Sequence, residues 1–131
     1  MIFNSLNLVL FLTVVKAAKA KAAAKRQMAW VRAIEKAAEQ VLSNPYIAED
    51  GDALLIQSAT GGEIYHANGV CQCKAFKIET PCWHRAAAQL VRRYREAEAA
   101  EAARRLAAMS AKASSVASTS INFQCSLRTT F

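Results

Sequence analysis

The stretch CQCKAFKIETPCWH at residues 71–84 decides how this chain folds. It places Cys71 and Cys73 one residue apart and, after eight intervening residues, Cys82 and His84 with the same spacing. Three thiolates and one imidazole are a common ligand set for a structural zinc ion, which binds four such groups in a tetrahedron. The stretch therefore predicts one zinc site with all four positions filled by protein, so that the ion is structural rather than catalytic.

The spacing within each pair predicts its local structure. Side chains two residues apart in a strand point to the same side, so the Cys-x-Cys pair fits an extended strand. In a helix they point about 200° away from each other, so Cys82 and His84 cannot both lie in regular helix and share one ion. Thr80 is a suitable N-cap and Pro81 a suitable first helical residue. We therefore expect Cys82 at the entry to a helix and His84 in its first turn.

Other roles for these residues explain the pattern less well. Cys71 and Cys73 are too close for a relaxed disulfide, and a bond from either to Cys82 leaves an odd thiol beside it. The distant Cys125 is not needed for the site. The alternative is that the four residues are unrelated core residues or include a reactive thiol pair. His66 is the alternative candidate for the histidine ligand in place of His84, although a histidine on a strand is more often simply exposed.

Apolar periodicity predicts a helix on each side of the cysteine stretch. The pattern is helical from about Lys16 to Leu42, and one face carries an apolar stripe of Trp30, Val31, Ile34, Ala38, Val41 and Leu42. Pro45 ends this helix, because proline lacks the amide needed to continue it. The second helix runs from near Cys82 to about Met109, with a stripe of Trp83, Ala87, Leu90, Val91, Tyr94 and Ala97. We assign Trp83 to the core rather than to base stacking, since it shares this stripe.

Between the helices the sequence is typical of strands. Extended segments are expected at 46–48, 53–58 and 63–67, with turns at 49–52 and at Gly61-Gly62. The predicted fold class is α+β: a leading amphipathic helix, a small antiparallel sheet that bears the Cys-x-Cys pair, and a long C-terminal helix. The metal is expected to tie the sheet to this second helix.

The order of ligands, hairpin and helix resembles the SWIM zinc finger. That family has Cys-x-Cys, a variable spacer and Cys-x-His in a β-β-α arrangement, and the likeness covers about residues 53–97. Phe76 lies three residues after the second cysteine, where the family tends to place a core aromatic residue. The resemblance implies a DNA-binding or protein-interaction module. It implies no activity, because no ATPase or transposase domain accompanies it.

The sequence suggests four segments. They are an apolar and then Lys/Ala-rich segment at 1–27, the amphipathic helix at 28–44, the finger with its trailing helix at 45–109, and a Ser/Thr-rich tail at 110–131 that we expect to be disordered. The apolar residues 1–15 are short for a membrane span, and their positive charge follows rather than precedes them. We expect residues 1–15 to be a buried or loosely ordered segment, or to result from a start codon assigned too far upstream of Met28. We do not expect a membrane anchor.

Charge suggests a partner. The net charge is +7, and residues 51–90 are balanced with three basic and three acidic groups, so the surplus lies on the two flanks. Nucleic acid is the partner that this surplus favours, although ordinary solubility would also explain it. The candidate phosphate contacts are Lys74, Lys77, Arg85, Arg92 and Arg93.

Two functions therefore remain open. The first is a nucleic-acid-associated accessory protein, and the second is an adaptor that docks on a protein such as a helicase or recombinase without touching nucleic acid. We expect no enzyme and no small-molecule substrate, since no Ser/His/Asp set, phosphate loop or acidic pair appears. Reduced cysteines fit a cytoplasmic protein.

Overall fold

A computed structural model describes the backbone of residues 6–58 and 62–128 and the side chains of these residues up to 112. The chain divides into two compact units, Met1–Ala97 and Glu98–Phe131. The elements in chain order are α1 Leu8–Ala24, α2 Met28–Ser43, β1 Ile47–Asp50, β2 Ala53–Gln57, β3 Ile64–Ala67, α3 Lys74–Lys77 and α4 Trp83–Arg128. The α+β fold class predicted from the sequence is confirmed.

The three strands form one antiparallel sheet in the order β1-β2-β3. Ile47 pairs with Ile56, which pairs with Tyr65, so these three side chains lie side by side on the face that meets the core. Asp50 and His66 lie on the other, exposed face of the sheet, with Asp50 Oδ2 3.3 Å from His66 Nε2. The predicted turn at Gly61-Gly62 falls partly outside the described residues, and within it Gly62 has a positive φ of 67°, a conformation that favours glycine.

The first helical region differs from its prediction. In place of one helix from about Lys16 there are two, α1 and α2, packed against each other and joined by a tight turn. The chain reverses at Arg26, whose φ of 57° is left-handed, and Gln27 N–H closes the turn on the carbonyl of Ala22. No glycine or proline marks this turn, so sequence periodicity did not reveal it.

The apolar segment at the beginning of the chain is part of the core. Phe11 is fully buried and packs edge-on against Tyr94 of α4, with ring centres 5.9 Å apart. The Tyr94 hydroxyl also accepts a hydrogen bond from the amide of Asn7 at 3.0 Å. From Leu8 onward this segment is helical, with Phe11 and Val15 buried on its inner face and Val9 exposed on its outer face. Among the described residues, no helix is long and apolar enough to cross a membrane.

The two apolar stripes predicted for α2 and α4 face the core. Val31, Ile34 and Val41 of α2 are buried, as are Leu90 and Tyr94 of α4. Glu49 of β1 accepts two hydrogen bonds from Arg95, which fixes the sheet to α4. Together these contacts set the start of α4, and therefore His84, against the sheet.

Helix α4 continues beyond Met109, where the sequence predicted its end, and its backbone is helical to Arg128. Residues 110–128 contain neither proline nor glycine, the residues that most strongly interrupt a helix, although the segment is rich in serine and threonine. The expected disordered tail at 110–131 therefore overlaps helical backbone as far as Arg128.

Burial of Phe11 generates a test of the helical hairpin. Phe11→Ala should lower the free energy of unfolding by about 3–5 kcal/mol, because it removes a fully buried ring and leaves a cavity beside Tyr94. Val9→Ala is the matched control, since Val9 is 77% exposed, and it should change stability by less than about 0.5 kcal/mol. Urea denaturation followed by circular dichroism measures both. Equal midpoints for Phe11→Ala and the wild type would contradict the packing of α1.

Candidate metal centre

The four predicted ligands come together in one cluster. The sulfurs of Cys71, Cys73 and Cys82 and a ring nitrogen of His84 all lie within 4.8 Å of one another. His84 Nδ1 lies 3.6 Å from Cys71 Sγ and 3.4 Å from Cys82 Sγ. In a tetrahedral site with metal–sulfur bonds of about 2.3 Å, ligand atoms are about 3.5–3.8 Å apart. The cluster therefore fits one metal ion, with Nδ1 as the imidazole donor.

The first cysteine pair does not lie on a strand, contrary to the prediction. Strand β3 ends at Ala67, and a turn around Asn68 follows, in which its side chain accepts hydrogen bonds from the amides of Gly69 and Val70. Extended pairing stops there because the chain must leave the sheet to meet α4. Cys71 and Cys73 then lie in a loop and reach the common centre without the alternation of a strand.

Hydrogen bonds hold this loop in place. The Gln72 side chain accepts a hydrogen bond from the amide of His66 at 2.8 Å, so the loop stays fixed to β3. Cys73 then takes the cap position of α3, a single helical turn. After α3 the chain reverses at Glu79, whose φ is 61°, while the amide and hydroxyl of Thr80 both donate to the carbonyl of Ala75. This reversal carries the chain back to the second ligand pair.

The second pair lies where the sequence predicted it, with a different cap. Helix α4 begins at Trp83, so Cys82 is at the entry and His84 in the first turn. The N-cap role predicted for Thr80 belongs to Cys82, whose sulfur accepts a hydrogen bond from the amide of Arg85 at 3.4 Å. Backbone amides at a helix N-terminus favour negative charge. The cap geometry therefore suits a thiolate at Cys82.

Burial controls the protonation of the site in the absence of metal. It raises the pKa of Cys71 to about 12 and also raises that of Cys82 above its ordinary value of 9.0. Burial, followed by the charge of Lys36, lowers the pKa of His84 to about 4, so the imidazole is neutral at pH 7 and ready to bind a metal.

Cys73 behaves differently from the other two thiols. Burial raises its pKa, but the backbone amides of Phe76 and Ala75 and hydrogen bonds from Cys82 and Cys71 outweigh burial. The net effect is a pKa below the ordinary thiol value, so Cys73 is the thiol most readily ionised.

Aromatic rings flank the imidazole, which the sequence did not reveal. The Trp83 ring centre lies 4.2 Å and the Tyr65 ring centre 5.0 Å from that of His84. Trp83 also packs on the core, as its stripe predicted, but it is only half-buried. These rings restrict the orientation of the imidazole and point Nδ1 at the sulfurs. In the sequence, only the alternation of strand residues applied to Tyr65, and nothing there indicated its contact with His84.

The other predicted site residues lie outside the cluster. His66 is exposed and pairs with Asp50 on the sheet's outer face. Arg85, a candidate phosphate contact, is half-buried: its guanidinium lies 5.4 Å from the Trp30 ring centre and 5.1 Å from that of Phe76. The two aromatic rings belong to separate helices, α2 and α3, so helix periodicity does not predict this contact. Lys74, Lys77 and Arg92 are exposed, and Arg93 is half-buried.

Comparisons with known proteins found no match to this chain, whether among protein families, curated proteins or solved structures. The Cys/Cys/Cys/His cluster is compatible with the metal site of a zinc finger.

The cluster predicts a simple stoichiometry. Protein purified under reducing conditions should contain one metal ion per chain by elemental analysis. Cys73→Ser and His84→Ala should each lose it, because three donors bind a metal far more weakly than four. His66→Ala is the matched control and should retain it. Loss of metal in His66→Ala would mean that the wrong histidine has been assigned.

Metal affinity should rise with pH. A metal binds the thiolate form, and Cys71 and Cys82 carry protons at pH 7 because their pKa values are raised, so binding releases at least two protons. His84 adds no proton above its pKa of about 4. The apparent association constant should therefore increase at least about 100-fold per pH unit between about pH 5 and 8. Competition with a chromophoric chelator measures it. A change of tenfold or less per unit would contradict these protonation states.

Proposed function

We propose that this protein is a structural zinc module of the SWIM type that associates with nucleic acid. The observation that carries the proposal is the convergence of three cysteine sulfurs and one histidine nitrogen within 4.8 Å. Three soft thiolates and an imidazole favour zinc over magnesium or calcium, which prefer oxygen ligands. A set of four protein donors leaves no position for water or substrate, so the ion has a structural role.

The SWIM assignment rests on the order of ligands and elements. Cys-x-Cys follows an antiparallel hairpin, and Cys-x-His opens a helix, as in that family's β-β-α arrangement. Phe76, at the position expected for a core aromatic residue, is packed against the core. The single-turn helix α3 occupies the spacer between the two pairs, which is the variable part of the pattern.

Nucleic-acid binding is supported by a cluster of positive charge on one side of the first compact unit. Arg93 of α4 lines a cleft of about 250 Å³ together with Lys21 of α1 and Lys25, the residue that caps the end of α1. Arg92 is exposed beside it, and no acidic residue is among the described residues that line this cleft. Such a cluster attracts phosphates regardless of base sequence. Exposed Lys74 and Lys77 extend the candidate contacts to α3. Arg85 of α4 contacts the Phe76 ring of α3 and so contributes to the position of α3.

An adaptor function is the second candidate, and one observation favours it. Leu8, Val9 and Leu12 on α1 are 50%, 77% and 48% exposed, which makes a small apolar surface. A protein partner such as a helicase or recombinase would cover it. A stable complex that survives nuclease treatment would favour this candidate. The expectations that the protein is cytoplasmic and is not an enzyme stay predictions.

Salt dependence tests the nucleic-acid proposal. If three to five phosphates are neutralised, the logarithm of duplex affinity should fall with the logarithm of salt concentration at a slope of about −3 to −4.5. Arg92→Ala combined with Arg93→Ala should weaken binding to all sequences alike and reduce the slope by up to about two. Fluorescence anisotropy with labelled duplex measures both.

The matched control removes the same charge elsewhere on the same helix, by Arg104→Ala combined with Arg105→Ala. It should change the slope less than the Arg92/Arg93 pair, and both double variants should keep their metal. Absence of salt-dependent binding to any nucleic acid at low ionic strength would overturn the proposal and leave the adaptor as the preferred function.

A further inference from the structure

A second, larger cavity lies beside the metal centre. Its volume is about 890 Å³, and it runs between the end of α2, the sheet, α3 and the start of α4. Three aromatic residues line it: Tyr46, Tyr65 and Trp83. The candidate metal ligands Cys73, Cys82 and His84 form part of its wall, so a bound metal would fix this part of the groove.

The three rings differ in what they offer to a ligand. Tyr65 and Trp83 are half-buried and pack on His84, so they form a rigid floor. Tyr46 is 68% exposed and precedes β1, where its carbonyl accepts a hydrogen bond from the Gln57 amide. Its backbone is therefore held by the sheet while its ring remains accessible. An accessible ring on a fixed backbone is a suitable stacking surface for a planar group.

The charge of the groove has one sign. Lys36 and Lys74 line it, and no aspartate or glutamate does so among the residues the structure describes. Lys36 Nζ lies 5.8 Å from the centre of the Trp83 ring, which places an ammonium group directly beside the aromatic floor. Aromatic and cationic groups are thus interleaved, as in sites that bind bases and phosphates together.

Side-chain amides complete the wall. Gln40, Asn44 and Gln57 line the groove. The side-chain nitrogen of Asn44 donates to the side-chain oxygen of Gln40 at 3.0 Å, and the side-chain oxygen of Asn44 accepts from the backbone N–H of Tyr46 at 2.8 Å. These two bonds fix the orientation of the Asn44 side chain. Amides both donate and accept hydrogen bonds, which suits the edges of nucleobases.

We propose that this groove binds single-stranded nucleic acid, with one base stacked on Tyr46 and its neighbouring phosphates at Lys36 and Lys74. The proposal rests on the proposed nucleic-acid function and specifies the form of the ligand and its site. A single strand is required because the faces of bases in a duplex are covered by their neighbours, whereas an unpaired base has a free face. The Arg92/Arg93 surface contacts phosphates alone and accepts either form.

The test compares Tyr46→Ala with Ile64→Ala in metal-loaded protein. Both remove an exposed side chain from the sheet region, but Ile64 does not line the groove. Affinity for a short labelled oligothymidine should fall about 5- to 150-fold in Tyr46→Ala, the range for loss of one stacked base, and stay unchanged in Ile64→Ala. Affinity for duplex DNA should stay unchanged in both. Lys36→Ala should weaken oligothymidine binding and reduce its salt slope by about 0.7, with Lys16→Ala as the exposed charge control outside the groove.

A spectroscopic arm reports on the groove directly. The chain has two tryptophans, and Trp30→Phe leaves Trp83 as the only one while keeping an aromatic ring against Arg85. Oligothymidine should quench the fluorescence of Trp83 in this variant, and Tyr46→Ala should reduce the quenching at equal concentration. Quenching confirms occupancy of the groove because Trp83 lies in its floor.

The outcomes separate this inference from the function on which it rests. Oligothymidine binding that is unaffected by Tyr46→Ala overturns the groove and leaves the basic-surface proposal intact. An equal loss for duplex and single strand in Tyr46→Ala also overturns it. No binding of any nucleic acid overturns both. Binding of polyglutamate that depends on Tyr46, without binding of oligothymidine, overturns it in favour of an acidic protein partner.

Discussion

Three buried thiols and one neutral imidazole meet where the loop after β3, the single turn of α3 and the first turn of α4 come together. Without a cation, burial keeps Cys71 and Cys82 in the neutral thiol form, as the pKa of about 12 for Cys71 indicates. A divalent ion reverses the sign of that effect, since it stabilises the thiolates that burial penalises. The rest of the first compact unit serves to bring these four donors to one point.

The hydrophobic core by itself is modest. The chain contains 28 alanines, and many of its buried positions are alanine, including Ala37, Ala67 and Ala87, which bury little surface each. Its largest fully buried side chains are few, led by Tyr94 and Phe11. A structural metal contributes of the order of 10 kcal/mol, comparable with the whole stability of a small domain. A metal bound at the cluster would stabilise the start of α4, while Phe11 of the helical hairpin packs on Tyr94 further along the same helix.

The metal centre also positions surfaces that do not touch the ion. The turn that returns the chain to Cys82 precedes Arg85, which lies between Trp30 and Phe76, and the tilted contact of Trp83 with His84 forms one wall of the groove. Removal of a metal bound at the cluster would therefore alter the groove beyond the ligands Cys73, Cys82 and His84 in its wall.

Local patterns in the sequence determined the ligand set, the two apolar stripes, the strand segments and the position of Cys82 at a helix entry, because each depends on residues close together in the chain. The tertiary structure decided the rest. The first helical region is two helices with a turn at Arg26, and the Cys-x-Cys pair lies in a loop after the sheet. Arg85 lies between two aromatic rings, and Lys36, Tyr46 and Trp83 line one groove. The turn at Arg26 has no glycine or proline to mark it, and the other features arise from packing between separate elements, which leaves no periodicity or spacing in the sequence.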